Sequence, residues 1–429
     1  MREFHYVMLG LFVPALFAVF AATGLALERE TVSGDAESIG RNRTYEVATQ
    51  STDQKFRLLA AEKGSSEKAH KLDAGSGSEK EWKSSEINIL GIGMAVADVD
   101  GDGKNEIIII DPSTVYVYRI AGEKLDLVDE YSVGSLALKS VDAAKIRPQG
   151  PARIYVSAQN RGVVASLVLE LRGGKLVPVI QDVPYFLRVI NYPTRGPILI
   201  GQKKGMRNMY DGPVLKLADK GDELEPQGRF GVPLKIPVFG FTVGDFEGRR
   251  TPLIAVYDKE DHIRIYDPSG KKRFVARDYY GESDIILRKA GPEERRSNMN
   301  QADEKNEFFR PRILSLDLYN DSVHDILAIV HSSRTRRILS QTKMLEEGQV
   351  VGLAWNGEVL EDRWSTPKIQ GVVTDFAVDS LPGMSGTRLI TLERKKTDWL
   401  AFLKSRSQVR AYDLKSLLKQ EPRRRTTED

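Results

Sequence analysis

Short apolar runs recur along this chain four to a unit of ~45 residues, and no other feature restricts its fold so tightly. One unit runs through residues 93–98, 106–110, 115–118 and 125–133, with polar or glycine-containing turns between the runs. A second occupies 238–245, 253–257, 262–266 and a last run through Ala276. A third begins at 313–317, continues at 325–330 and resumes at 349–355 after a polar insertion. Residues 136–182 and 185–229 read as more degenerate copies. A final copy comprises 372–378, 389–392 and either 399–404 or 408–412. The runs are rich in Val, Ile, Leu, Phe and Tyr and are bounded by Gly, Pro, Asp and Asn, as strands and turns are. No segment here keeps a long helical period. Small sheets of this kind bury their apolar faces only by stacking on their neighbours. The expected fold is all-β: a β-propeller of about six four-stranded blades over residues 81–414, with seven as the alternative count.

A ring of sheets needs a device to join its ends. Residues 81–87, around Trp82, are similar to residues 362–368, around Trp364. The second copy is placed as the outermost strand of a blade, so the first has no blade of its own, while the last unit is short of a fourth strand. The simplest assembly pairs 81–88 with the C-terminal blade and removes two exposed edges. The competing reading is an unrelated surface strand.

The strongest local signal is the loop from Asp98 to Glu106. Carboxylates stand at its first, third, fifth and ninth positions (Asp98, Asp100, Asp102 and Glu106), with Gly103 at the sixth. Alternate residues point inward, glycine permits the tight bend, and the backbone carbonyl of Lys104 can fill the seventh position. Such a set of oxygens suits Ca2+, which accepts six to eight of them in flexible geometry. An EF-hand is excluded, because Ile109 occupies the twelfth position and the flanks read as strands. The bland alternative for an Asp- and Gly-rich loop is an ordinary β-turn.

Strand, acidic loop and strand, repeated around a ring, resembles the FG-GAP/VCBS repeats of integrin α-chain propellers and of many bacterial exported proteins. The resemblance covers most of residues 81–413, but only the first loop is a full match. It implies Ca2+ as the bound ion, with Asp98, Asp100, Asp102, Lys104 (through its carbonyl) and Glu106 as ligands. On the same frame the fifth unit offers Asp317, Tyr319, Asp321 and Asp325. Tyr319 replaces a carboxylate and Ser322 a glycine, which weighs against a metal there. The fourth unit has Asp245 and Glu247 followed by Arg249 and Arg250, the composition of a salt-bridged turn. Carboxylates ~5 Å apart repel by about 0.8 kcal/mol per pair even at the dielectric of water, so an unfilled loop frays. A site of ~0.1 mM affinity in ~1 mM calcium gains about 1.4 kcal/mol, the size of a local staple.

The ends of the chain are of different character. Arg2 and His5 precede an apolar run from Tyr6 to Ala22, and Gly24, Leu25 and Ala26 offer a small-residue exit. Residues 1–26 therefore read as a secretory signal peptide, with an uncleaved membrane anchor as the alternative. Either way the remainder lies outside the cytoplasm, in the periplasm, the cell envelope or the medium. Residues 27–80 are polar and aromatic-poor and read as a disordered linker, with a short helix expected near 54–63. Residues 415–429, with Arg423, Arg424 and Arg425, read as a basic tail. The chain has no cysteine, which excludes disulfides, thiolate metal sites and a cysteine nucleophile. Such an exported chain fits a bacterial envelope better than an animal extracellular space.

Charge gives no reason to expect a nucleic-acid partner, since 63 basic residues nearly balance 60 acidic ones. Outside the signal segment, His70, His262, His324 and His331 show no metal-binding spacing, and exposed or edge positions account for them. No nucleophile elbow or phosphate-binding loop is present. The expected function is a non-catalytic protein- or glycan-interaction module or envelope scaffold. The alternative is a glycosidase- or lyase-like propeller enzyme with carboxylates in its central channel. Two charged insertions, 282–310 with Phe308 and Phe309, and 332–348 with Arg334, Arg336 and Arg337, are the candidate partner-binding loops. Trp82, Trp355, Trp364 and Trp399 read as packing residues rather than sugar platforms.

Overall fold

The computed structural model describes residues 81–193, 195–205, 209–233, 236–288, 307–333, 345–395 and 406–420. The signal segment, the linker, Trp399, His70 and the arginines at 334, 336, 337 and 423–425 lie outside these residues.

Strands form where the alternating apolar runs require them. The first, β1 (Glu81–Lys83), precedes an antiparallel quartet of β2 (Gly93–Ala97), β3 (Glu106–Ile110), β4 (Thr114–Ala121) and β5 (Lys124–Ser132). A second sheet comprises β6 (Ala137–Ala144), β7 (Arg153–Asn160), the short β8 (Val163–Val164), β9 (Ser166–Arg172) and β10 (Lys175–Val183). Two further quartets follow. The third sheet is β11 (Phe186–Tyr192), β12 (Gly196–Lys203), β13 (Asp211–Asp219) and β14 (Leu224–Arg229). The fourth is β15 (Phe241–Gly244), β16 (Leu253–Tyr257), β17 (Ile263–Tyr266) and β18 (Lys272–Val275). The degenerate copies at 136–182 and 185–229 are thus complete sheets, because burial on both faces needs apolar residues and not a conserved loop.

A small antiparallel pair, β19 (Ile286–Leu287) with β20 (Glu307–Phe308), pinches the base of the first insertion. The remaining strands are β21 (Leu314–Leu316), β22 (Asp325–Ser333), β23 (Leu345–Trp355), β24 (Leu360–Ser365), β25 (Ile369–Ser380), β26 (Thr387–Lys395) and β27 (Ser407–Asp413). They make two quartets, β21–β24 and β25–β27 with β1. A short bridge joins the quartets where Gly348 pairs with Ile369. Gly348 is needed at that point, since a Cβ there would press on the Val373 amide.

The quartets pack in chain order. Strand β2 lies against β6, β6 against β11, β11 against β15 and β15 against β21; β22 and β23 meet β25, and β25 returns to β2. The apolar core is divided accordingly into clusters between successive sheets. Ile108, Val117, Ile154 and Leu169 join the first sheet to the second, and Tyr155, Val168, Leu187 and Leu199 join the second to the third. One cluster closes the circle, setting Ile390, Leu392, Val409 and Ala411 of the last sheet against Met94, Ile107 and Ile109 of the first. Each such Ile, Leu, Val or Met side chain, fully buried, contributes about 1.5–3 kcal/mol. A nearly all-β chain of stacked antiparallel quartets in this order fits a propeller fold.

Ring closure at the rim follows the expected pairing. Glu81, Trp82 and Lys83 lie opposite Tyr412, Ala411 and Arg410, and a bridge between Ile87 and Ser407 extends the ladder. Strand β27 contains Gln408 and Tyr412, so the second of the two expected runs supplies the third strand of the last sheet. Trp82 and Trp364 sit on equivalent outermost strands and are buried, and Trp355 packs on Phe274 at 4.9 Å between ring centroids. A Cβ on Gly352 would collide with the Trp364 indole, which explains that glycine.

After β27 a single-turn helix, α1 (Leu414–Leu417), is capped by Asp413 and buries Leu414 and Leu417. Gln420 exchanges hydrogen bonds with the backbone of Ser365 at 3.2 and 3.0 Å. Residues 415–420, expected in the tail, are thus packed: the helix meets β26 and β27, and Gln420 is tied to β24. Leucines at helical spacing on a sheet flank bury as readily as those in strands.

Candidate metal centre

The hairpin β2–β3 positions the acidic loop. Ala97 pairs with Glu106, which brings the ninth loop residue back beside the first. Gly101 and Gly103 adopt φ values of +85° and +84°, a backbone region where a Cβ is strained. Those turns let the loop amides face inward. Asp98 Oδ1 accepts the Gly101 amide at 2.7 Å and its Oδ2 accepts the Gly103 amide at 3.0 Å. Asp100 Oδ1 accepts from Asp102, and Glu106 Oε2 from Val99, at 3.0 and 3.1 Å.

One oxygen each from Asp98, Asp100 and Glu106 lie within 4.8 Å of one another. The Asp102 carboxylate is not part of that group. Asp102 and Lys104 are both exposed, and Asp102 Oδ1 accepts the Lys104 amide at 2.8 Å. Glu106 is 1% exposed, and burial pushes its carboxyl above the usual range. The Val99 hydrogen bond opposes that shift and the nearby Asp100 charge adds to it.

Sequence reasoning missed Arg119. Its Nη2 donates to Asp100 and its Nε to Glu106 Oε1 at 3.3 Å, so one guanidinium spans two of the three converging carboxylates. The hydrogen bond to Asp100 holds its proton more firmly than in free arginine. The signal lay in hairpin register. Ile107 pairs with Tyr118, so residue 119 must stand opposite Glu106. The donor set fits a hard divalent cation: three hard carboxylates on a bent loop, each oxygen with lone pairs to spare. Arg119 is 48% exposed in its side chain and has solvent to withdraw into.

The other loops diverge as their residues dictate. In the fifth sheet Asn320 and Ser322 take φ values of +57° and +67°, reproducing the glycine turns of the first loop at some strain. Asp317 accepts the amides of Asp321 and Ser322 at 3.1 and 2.9 Å, as Asp98 does those of Gly101 and Gly103. Asp325 is buried, its Oδ2 has no hydrogen-bond partner, and burial raises its pKa to about 7. Arg363 lies 3.8 Å from its other oxygen and stacks over Tyr319 at 5.0 Å. In the fourth sheet Glu247 faces Arg249 at 3.3 Å, Arg273 at 3.5 Å and the Trp355 indole at 3.2 Å.

No family model matches the chain, and no curated protein matches it. Among solved structures it is similar to BBS1N in complex with ARL6DN, from a mercury-soaked crystal, at 11% identity and a TM-score of 0.35. That match covers 78% of this chain and 86% of the other. A lead-soaked crystal of the same complex gives the same identity and TM-score, over 78% of this chain and 97% of the other.

Two sequence expectations change. His331 is buried rather than exposed or at an edge, and its Nε2 accepts the Val373 amide at 3.1 Å. It serves as an internal hydrogen-bond partner between β22 and β25. Of the insertion at 282–310, the described ends are packed: Glu282, Ser283 and Leu287 are buried, and Phe309 meets Phe239 at 4.8 Å between ring centroids. Phe309 is therefore a core residue and does not belong to a partner-facing surface.

Proposed function

We propose that this chain is an exported, non-catalytic propeller of six blades and FG-GAP/VCBS type, stabilised by Ca2+ at residues 98–106. In this reading it serves as a protein- or glycan-interaction module or an envelope scaffold. The observation that carries the reading is the convergence of Asp98, Asp100 and Glu106 on a glycine-bent hairpin loop between two strands of a stacked quartet. The loop bears four carboxylates against Arg119 and Lys104, which leaves two negative charges for a divalent ion to balance.

The alternative, a propeller glycosidase or lyase, needs carboxylates at the centre that are free to act on a substrate. Asp142 and Asp375 do come together, yet both accept hydrogen bonds from Arg312 and from main-chain amides. That commitment favours a structural role for them.

Two measurements test the reading. Calorimetric titration of the folded chain with CaCl2 is expected to give one site in the submillimolar range, weakened at least tenfold by Asp98→Asn. Affinity capture from the producing cell is expected to recover a stoichiometric protein or polysaccharide. Turnover of a glycan library by the purified protein would favour the enzyme instead.

A further inference from the structure

The first strands of three sheets, β2, β6 and β25, meet around one guanidinium. Arg312 stands two residues before β21, and its Nε donates to Asp375 Oδ1 at 2.8 Å. Its Nη2 donates to Asp375 Oδ2 at 3.2 Å and to the carbonyls of Met94 and Val141 at 3.1 and 3.0 Å. Its Nη1 donates to Asp142. These partners lie on β25, β2 and β6. The carboxylates extend the network, with Asp142 Oδ2 accepting the Val189 amide of β11 at 2.9 Å and Asp375 Oδ2 the Met94 amide at 3.0 Å. Arg310, two residues earlier, donates to the Tyr257 carbonyl of β16 at 2.6 Å.

We propose that Arg312 is an axial latch, which closes the ring from within by tying β2, β6 and β25 to the segment that opens the β21–β24 quartet. The rim pairing of β1 with β27 joins the two ends of the chain, whereas the latch ties the segment before β21 to the next sheet in sequence and also to the first and second sheets, which are distant from it in sequence. Both are needed for different reasons. The rim covers open strand edges, and the latch neutralises charge at the centre.

The charge arithmetic decides what its removal does. Arg312 and Arg188 face Asp142 and Asp375, with Arg188 Nε 3.8 Å from Asp142, and the phenol of Tyr257 faces Arg188 from β16. Two cations balance two anions. Without Arg312 one carboxylate is left buried and uncompensated, and Asp375 is that group because Arg188 stands beside Asp142. Breaking a buried pair from one side is far more damaging than replacing both members.

The test is thermal melting of Arg312→Met, Asp375→Asn and the double variant at pH 7.5. Arg312→Met is expected to melt roughly 5–10 °C below the wild type at pH 7.5. Asp375→Asn should restore most of that deficit. Amide exchange gives a readout that a general loss of packing would not localise. The amides of Met94 and Val189 should exchange about tenfold faster in Arg312→Met relative to those of β14, which the latch does not touch. If Arg312→Met does not fold, the double variant compared with Asp375→Asn alone still reads the coupling. Melting of Arg312→Met within 1 °C or so of the wild type overturns the latch. So does a deficit that Asp375→Asn leaves unrelieved.

Discussion

The carbonyl of Asp98 accepts a 3.0 Å hydrogen bond from the amide of Ala152, which stands just before β7 of the next sheet. The same bond recurs between the carbonyl of Asp245 and the amide of His324, at 2.8 Å. The first residue of each of these two loops thus has two tasks. Its side chain gathers the amides of its own loop, and its main chain holds the following sheet. Order at the loop is transmitted directly to an interface between sheets.

Arg119 supplies part of that order from within the chain. It offsets the repulsion of Asp100 and Glu106, and it has to yield some of that contact when a cation enters. Arg119→Met is therefore expected to bind calcium about tenfold more tightly, since affinity in such loops follows the net ligand charge. In chelator the same variant should melt a few degrees lower, because the carboxylates then repel without a counter-ion. Calorimetric titration and melting in chelator check the two halves separately.

Asp325 gives the protein a pH dependence of definite sign. Burial raises its pKa to about 7; Arg363 opposes the shift, and Asp321 and Asp317 reinforce it. The folded state thus holds this proton more tightly than the unfolded chain. Its contribution to stability is complete below the unfolded value near ~4, falls as pH rises, and is gone above about 7. Asp325→Asn should remove that slope. At pH 8 the variant is expected to melt roughly 2–5 °C above the wild type, and at pH 4 the two should coincide.

The rim closure depends on packing more than on charge. Trp82 is buried between the last sheet and the first, and its indole donates to the Gly122 carbonyl at 2.8 Å. Trp82→Ala is expected to cost about 3–5 kcal/mol in denaturant unfolding. Glu86 pairs with Lys395 and with Arg406 at 3.0 Å, but in an exposed setting, so Glu86→Gln should cost less than about 1 kcal/mol. Removing residues 81–88 uncovers the edge of β27, and the product should elute as oligomers in size-exclusion chromatography.

What was legible in the sequence is what repeats. Strand runs, the acidic loop and the kinship of Trp82 with Trp364 all depend on local composition or on copies of one unit, and each has its counterpart in the structure. Arg312, Asp142 and Asp375 were not legible. They come from three different sheets and meet only because the ring brings their first strands together. Arg119 lay between these cases, since its position opposite Glu106 follows from register once β3 and β4 are known to pair. His331 misled because a histidine bounding a strand has the same sequence context whether it faces water or a neighbouring strand.

Calcium binding at Asp98, Asp100 and Glu106 is the claim on which the functional reading depends, and thermal melting with and without chelator tests it most directly. Millimolar calcium should raise the melting temperature by a few degrees over the chelated protein, and Asp98→Asn should abolish that difference. Identical melting curves in calcium and in chelator, for a protein folded in both, would contradict the account.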